Sequence, residues 1–372
     1  PPARSLPCLI WRPVAAWPCH CLVRFCPAGH RSFSSAALSG LQRRRDRLSS
    51  FLGQLVLPPP THARLLGKEY ALPVRCTQVP AEIPAPSRSE LEYMVGFFDG
   101  DGCVSAQSNA SGCTLSVEQA LDNADPLMLF LQAFGGHIGV CSSLRGARQP
   151  RLRWRVSGPR CQHAASNLGI ILSLKQAQLK IAASWPDHVG DRRKMVAEQR
   201  RLKSAEDPQD VVQSWPYLAG FFDAEGCIQV SPSSCNICLI VGQKQQPILA
   251  SIRTFMRREY PSVSTHVSDG RWSMSHTPAC KLVLQRLLDA GLLGKRRAAE
   301  IALSLTQANH ASVRNELSSV VGKQGRYKRL CADGCRRARE IKQLRDRLAR
   351  RLRRGDVEVA QQLRLELEGL TQ

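Results

Sequence analysis

The sequence contains no run of about 18 apolar residues free of charge, so no membrane-spanning helix is expected from it. It is poor in acids. Thirty Asp and Glu stand against 52 Lys and Arg, giving a formal charge of +22 and a pI near 9.9. Such a balance favours a polyanionic partner, most simply nucleic acid. A zinc framework is also lacking. Cys235-x-x-Cys238 and Cys331-x-x-x-Cys335 each lack a second ligand pair at zinc spacing. The 15 cysteines are odd in number and scattered, without a disulfide-like pattern, which fits a reducing compartment. The chain has 372 residues with 43% hydrophobic content, enough for two domains with real cores plus tails.

The charge is unevenly spread. Residues 1–90 carry 12 basic and 4 acidic side chains, residues 91–322 carry 25 and 19, and residues 323–372 carry 15 and 7. The middle of the chain is mildly basic and both ends strongly so. Residues 1–88 are rich in Pro, Arg, Ser and Ala and read as a basic tail outside any folded domain. Within it, Arg31 to Leu38 followed by Arg43-Arg44-Arg45 has transit-peptide composition, which points to a mitochondrion or chloroplast.

The middle region is written twice. Met94-Val95-Gly96-Phe97-Phe98-Asp99-Gly100-Asp101-Gly102-Cys103-Val104 returns 124 residues later as Leu218-Ala219-Gly220-Phe221-Phe222-Asp223-Ala224-Glu225-Gly226-Cys227-Ile228, with six of eleven positions identical. The repeat continues downstream. Thr114 to Gln119 matches Cys238 to Gln243, and each Gln lies 18 residues after the second acid of its phrase. Pro126 and Pro247 then open helices, a position that suits proline. Arg153-Trp154-Arg155-Val156-Ser157 matches Arg271-Trp272-Ser273-Met274-Ser275, another strand in each half. Lys175 and Lys295 come last, each leading into a helix. Each half therefore reads helix, two strands, helix, two strands, helices, an α+β arrangement with an antiparallel sheet. The halves span 89–186 and 215–322, joined by a charged linker at 187–214. In residues 323–372, Ile341, Leu344, Leu348 and Leu352 give one amphipathic helix, Gly355 a break, and Asp356 to Leu367 a second, as in an antiparallel hairpin.

Each repeated phrase reads as a helix whose small residues, Gly96 and Gly100 or Gly220 and Ala224, share one face and let two backbones approach. Asp99 and Asp101, and Asp223 and Glu225, fall in the last turn, with Gly102 and Gly226 suited to a left-handed stop. Acids there oppose the helix macrodipole, at about 0.3–1 kcal/mol each. A rule broken twice in register points to function, and Mg²⁺ suits such oxygen donors. Cys103 and Cys227, equivalent in the repeat, are expected as small buried groups.

These phrases resemble the paired motif of LAGLIDADG homing endonucleases in their single-chain form, over roughly residues 90–322. The resemblance implies two pseudo-symmetric halves, each an antiparallel saddle-shaped sheet with helices packed on it, and motif helices at the central interface. It implies that Asp101 and Glu225 ligate the catalytic metal, Mg²⁺ or Mn²⁺, while Gly96, Asp99, Gly220 and Asp223 are structural. Gln119 and Gln243 would position solvent beside the metals, and Lys175 and Lys295 would stabilise charge near the scissile phosphate. Arg151, Arg153, Arg155, Lys244 and Arg271 are the candidate nucleic-acid contacts on the sheets. The implied protein is a monomer acting as a pseudo-dimer that hydrolyses double-stranded DNA at a long asymmetric target, as in intron homing. Two other activities are compatible with the residues. One is an RNA maturase acting on intron RNA, which needs neither acids nor metal. The other is a transcription-factor-like binder on a decayed nuclease fold, against which the intact acids argue. No nucleophile-led splicing block flanks the motifs, so an intein is excluded.

Overall fold

The structure, a computed structural model, describes residues 42–48, 50, 58–78, 85–107, 112–141, 150–203, 210–231, 234–321 and 332–371. The chain divides into two units, Pro1–Leu55 and Val56–Gln372. In the first, residues 42–48 and 50 form exposed helix, and the transit-like residues 31–38 lie outside the described residues. Everything below concerns the second unit.

It begins with a two-stranded hairpin, β1 (His62–Leu65) and β2 (Lys68–Ala71), followed by a short strand β3 (Val74–Arg75). The first half then runs α1 (Arg88–Asp101), β4 (Gly102–Ser105), β5 (Thr114–Ala120), α2 (Pro126–Phe134), β6 (His137–Val140), β7 (Arg151–Ser157), α3 (Pro159–Leu168) and α4 (Gln176–Ala183). A connecting helix α5 (Val189–Leu202) leads to the second half. That half runs α6 (Trp215–Glu225), β8 (Gly226–Val230), β9 (Ile237–Gly242), α7 (Gln246–Glu259), β10 (His266–Ser268), β11 (Arg271–Met274), α8 (Thr277–Asp289), α9 (Arg296–Leu303) and α10 (His310–Val320). The helix-strand-strand-helix-strand-strand-helix-helix order is that expected for each half.

Both sheets are antiparallel. Their strand orders are β3-β6-β7-β5-β4 and β10-β11-β9-β8. Without β3 the two orders are equivalent, and so are the registers: Cys103 faces Ser116 as Cys227 faces Ile240, each pair 124 residues from its counterpart. Strand β7 shows how one sheet divides its faces. Arg151, Arg153, Arg155 and Ser157 are exposed, while Leu152, Trp154 and Val156 are buried between them. The buried side packs under α2 and α3, where the Phe130 and Trp154 ring centroids lie 5.0 Å apart. The Trp154 indole N–H donates to Gly135 O at 2.8 Å. The other side of the sheet is open.

Local signals set the ends of the motif helices. Ser87 and Glu90 form a reciprocal capping box on α1, with Ser87 N donating to Glu90 Oε2 at 2.8 Å. Ser214 caps α6 through Tyr217 N. Helices α1 and α6 make the most extensive helix contact among the described residues. A Cβ on Gly96 would sit well inside contact distance of Tyr217 O and 2.9 Å from its carbonyl carbon. One on Gly220 would collide in the same way with Tyr93 O and lie 2.8 Å from Phe97 N.

Several expectations need correction. The tail does not extend to residue 88. Ala63, Leu65 and Val74 lie in the core at 3%, 0% and 0% exposure, Val74 pairs with Ile138, and Leu66 N donates to Asp125 Oδ1 at 2.7 Å. Strands of two to four residues are too short for their alternation to stand out among prolines and arginines. Gly102 and Gly226 are not left-handed stops. Both are extended, at φ −81° and −75°. The reason for glycine is space, because a Cβ would collide with the carbonyl oxygen of Phe98 or Phe222. Cys103 is exposed and Cys227 half-buried, since both lie on the open face of their sheets rather than under the helices.

The connecting helix α5 packs half-buried Met195 and Val196 against the core, and near its end buried Gln199 donates to Gln178 O at 2.8 Å. The C-terminal hairpin, α11 (Ala332–Arg353) and α12 (Val357–Thr371), turns at Gly355 with φ +77°. Its two helices pack together around Leu344 and Ala360. No helix among the described residues is long and apolar enough to cross a membrane.

Because backbone rather than flexible side chain meets a new Cβ at Gly96, Gly96→Ala must separate the two motif helices. The expected loss is about 1–3 kcal/mol or more, read as a lowered thermal midpoint by circular dichroism. An unchanged midpoint would mean the helices do not touch there.

Candidate active site

The site lies where the C-terminal ends of α1 and α6 meet. A Cβ on Gly100 would overlap the Ala224 methyl and lie 3.2 Å from Glu225 Cγ. The second acids of the two phrases therefore converge across the seam between the halves.

The first acids are buried and fully engaged. Asp99 Oδ1 accepts from Ser173 Oγ at 2.6 Å and from Lys175 N at 3.3 Å. Its Oδ2 accepts from Leu174 N at 2.9 Å and from Tyr217 OH at 2.6 Å. Asp223 repeats the pattern. Oδ2 accepts from Leu293 N at 2.7 Å, Gly294 N at 2.9 Å and Tyr93 OH at 2.6 Å, and Oδ1 accepts from Lys295 N at 2.8 Å. Each acid ends one helix and faces the start of another, α4 for Asp99 and α9 for Asp223. The unfavourable position at one helix end is offset by a favourable one at the next, where backbone N–H groups point outward. No cation is needed to resolve the conflict for these two residues. Burial still pushes the Asp99 carboxyl above its usual range, against the pull of Lys175 and its donors. Burial and the neighbouring Asp223 push the Tyr93 hydroxyl well above its own.

The tyrosines cross. Tyr93 of the first half binds the acid of the second, and Tyr217 of the second binds that of the first. Sequence reasoning missed both, together with Ser173. The signal was present, since Tyr93 and Tyr217 are also 124 residues apart and stand one position before the compared phrases.

The second acids are only partly engaged. Gln119 Nε2 donates to Asp101 Oδ2 at 2.9 Å, and Gln243 Nε2 donates to Glu225 Oε1 at 3.3 Å. Each Gln is itself oriented, because its Oε1 accepts from the next backbone N–H, that of Ala120 at 2.9 Å or Lys244 at 2.8 Å. The amide can then present only N–H to the acid. Burial first, and the Glu225 charge second, raise the Asp101 carboxyl from 3.8 to about 6, against the attraction of Lys295, Lys175 and Gln119. Burial likewise raises Glu225, against Lys175, Lys295 and Gln243. Both lysines thus act on both acids.

Lys175 and Lys295 do more than lend charge. Lys175 Nζ donates to Phe98 O at 2.7 Å, Asp99 O at 2.9 Å and Gly102 O at 2.6 Å. Its three protons close the C-terminal end of α1. Lys295 Nζ donates to Asp223 O at the end of α6. In this geometry Lys175 keeps no proton for a phosphate, so the role implied by the resemblance reduces to electrostatics at a fixed position. Burial lowers both ammonium groups below their usual range despite the nearby acids.

The donor set suits a hard divalent cation. Two coupled carboxylates face each other, and among the described residues Asp101 Oδ1 and Glu225 Oε2 accept no hydrogen bond. No cluster of three or more His, Cys, Asp or Glu side chains is present among the described residues. Carboxylate oxygens with so few protein ligands match Mg²⁺, which keeps waters and takes phosphate oxygens, better than zinc.

The sheet candidates divide. Arg153 and Arg151 are both paired with Glu118, Arg153 through Nε at 2.7 Å and Arg151 through Nη1 at 3.3 Å. Arg155, Arg271 and Lys244 are exposed. Lys244 follows Gln243 at the rim of the acid pair.

No family model and no curated protein match the chain. Solved structures do. I-AabMI, a LAGLIDADG meganuclease bound to uncleaved DNA, aligns at TM-score 0.47 and 13% identity over 61% of this chain and 98% of its own. The meganuclease I-SmaMI bound to an uncleaveable DNA aligns at 0.45 and 12% over 63% and 98%. I-GzeII, a LAGLIDADG homing endonuclease in complex with its DNA target, aligns at 0.43 and 12% over 61% and 97%. The chain is similar to LAGLIDADG meganucleases.

The acid pair carries a stability cost with a definite sign. The folded-state Asp101 value of about 6 exceeds its ordinary 3.8. The acid therefore costs nothing below about pH 4, where it is protonated in both states, and the cost grows as pH rises to about 6, reaching about 3 kcal/mol at neutral pH. In chelator, Asp101→Asn should raise the thermal midpoint at neutral pH and leave it nearly unchanged at pH 4. A lower midpoint at neutral pH would mean that the ionised acid is stabilised where it stands. Tyr217→Phe strips a donor from buried Asp99, with an expected loss of about 1–3 kcal/mol. Urea unfolding would read it, and a loss within error would remove the cross-seam bond from the account.

Proposed function

We propose that the protein is a metal-dependent endonuclease acting on double-stranded DNA, cutting each strand once at a long asymmetric site. The observation that carries this reading is the convergence of Asp101 and Glu225, one from each half, as a half-buried and electrostatically coupled carboxylate pair. A single pair of this kind, related by a pseudo-twofold, matches a substrate with two antiparallel strands. The charge of +22 and the open arginine-bearing sheet face support a polyanionic substrate.

Asp101 and Glu225 would hold Mg²⁺ or Mn²⁺ through their unengaged oxygens. When bound, such a cation supplies Lewis acidity toward a phosphodiester oxygen and lowers the pKa of bound water. The remaining work belongs to the chain. Gln119 and Gln243 hold the carboxylates in one orientation, being themselves fixed by backbone N–H groups. Lys175 and Lys295 favour the ionised acids and close the helix ends that carry them. Asp99, Asp223, Tyr93 and Tyr217 keep the helices at one separation, so the acids meet in one geometry. The arginines of the open face supply phosphate contacts. Unequal faces on the two halves fit an asymmetric target, and one chain supplies both halves.

Asp101→Asn and Glu225→Gln should each abolish double-strand cleavage in Mg²⁺, across a randomised duplex library, while leaving duplex binding intact. If both variants cut as well as the unaltered protein, the acid pair is not the catalytic centre. Intron splicing rescued by either variant would instead favour the RNA maturase reading.

A further inference from the structure

Among the described residues strand β3 has no counterpart in the second half. It extends the first sheet at its outer edge, pairing with β6 through Val74–Ile138 and Arg75–His137. The register continues across the sheet, from His137 to Arg155 on β7, Arg155 to Ser116 on β5, and Ser116 to Cys103 on β4. One straight row therefore reads Arg75, His137, Arg155, Ser116, Cys103. Arg75, His137, Arg155 and Cys103 are exposed and Ser116 half-buried, all on the side away from the helices.

Adjacent strands lie about 4.8 Å apart, so Arg75 and Arg155 flank His137 within about 10 Å. Like charges across strands destabilise a sheet, and the histidine registers their presence. Burial, then Arg155, then Arg75 hold its imidazole below the usual range. Arg151 and Arg153 on the same strand share Glu118. Among the described residues neither the Arg75 nor the Arg155 side chain donates to any acceptor. In the second half the equivalent row is His266, Ser273, Ile240, Cys227. The histidine recurs, but serine replaces Arg155, and among the described residues no fifth strand brings a counterpart of Arg75. Arg271 is the one exposed arginine on its four strands.

From this, and resting on the duplex-binding reading above, we infer that β3 belongs to the nucleic-acid surface. Arg75 and Arg155, with His137 between them, form a cationic row that binds the phosphate backbone of duplex DNA, so the first half grips its side of the target more strongly than the second. The unfavourable clustering of cations in the free protein is relieved when the phosphates arrive. Arg75 adds a contact that lies outside the repeated region of the sequence.

The test is a salt titration of binding to a fluorescein-labelled duplex of mixed sequence, in calcium or chelator to prevent cutting. Each phosphate contact contributes close to one unit to the slope of log K against log salt. Arg75→Gln and Arg155→Gln should each reduce the slope by about one, and the double variant by about two. Arg75→Lys should restore the slope, and Arg88→Gln, on α1 and paired to Glu92, should leave it unchanged. Circular dichroism checks that each variant is folded. If unaltered protein binds duplex and Arg75→Gln keeps the full slope, the cationic row is wrong while the duplex-binding reading stands. If unaltered protein fails to bind duplex at low salt, both fall.

Discussion

Two helices touch backbone to backbone, and most of what the molecule does at its centre follows from that contact. Gly96 and Gly220 leave no room for a side chain because each lies against the carbonyl of a tyrosine on the opposite helix. That approach brings the Tyr93 hydroxyl within reach of Asp223 and the Tyr217 hydroxyl within reach of Asp99. Each acid is buried with four donors around it, two or more of them backbone N–H groups at the start of another helix. Losing one partner would leave a buried charge underpaired, which costs far more than the bond itself contributes. The seam is therefore held to one separation, and residues two positions further on inherit that precision.

Asp101 and Glu225 are those residues, and their chemistry differs from that of Asp99 and Asp223 although the residue types are the same. The structural acids use every oxygen. The second acids share one oxygen with a glutamine amide and keep the other, while facing each other's charge. A fold that brings two carboxylates together with too few donors is storing electrostatic strain at a specific place. The lysines are part of the same arrangement. They are held by helix-end carbonyls, so their charge is fixed rather than swinging toward a ligand.

The halves agree at the seam and differ at the edges. Strand order, register and the spacing of 124 residues match from the motif helices to the central strands. Among the described residues the fifth strand and the arginine row belong to the first half alone. A near-twofold centre with unequal outer surfaces suits a process done twice on a substrate whose two sides are not alike.

Much of this was legible beforehand. The repeated phrase and the glutamines at +18 recur after 124 residues, and the paired tryptophans and lysines recur after 118 and 120; from these the α+β order of both halves and the convergence of Asp101 with Glu225 could be derived. The C-terminal hairpin was readable from Leu344 spacing and the break at Gly355. What stayed hidden depends on which groups meet across long sequence distances. The reach of Tyr93 to Asp223 spans 130 residues. Whether Gly102 is glycine for its dihedral angle or for the space beside Phe98 depends on a neighbouring side chain. Arg75 lay in a stretch whose composition resembled a tail, and only its pairing with His137 makes it part of the sheet. The sequence by itself determined the periodicities, the caps and the internal symmetry, because these are local properties of the chain. Tertiary structure alone decided which donors each acid received, which lysine protons were already used, and which arginines were left without an acid, because burial and pairing are properties of places where distant segments come together.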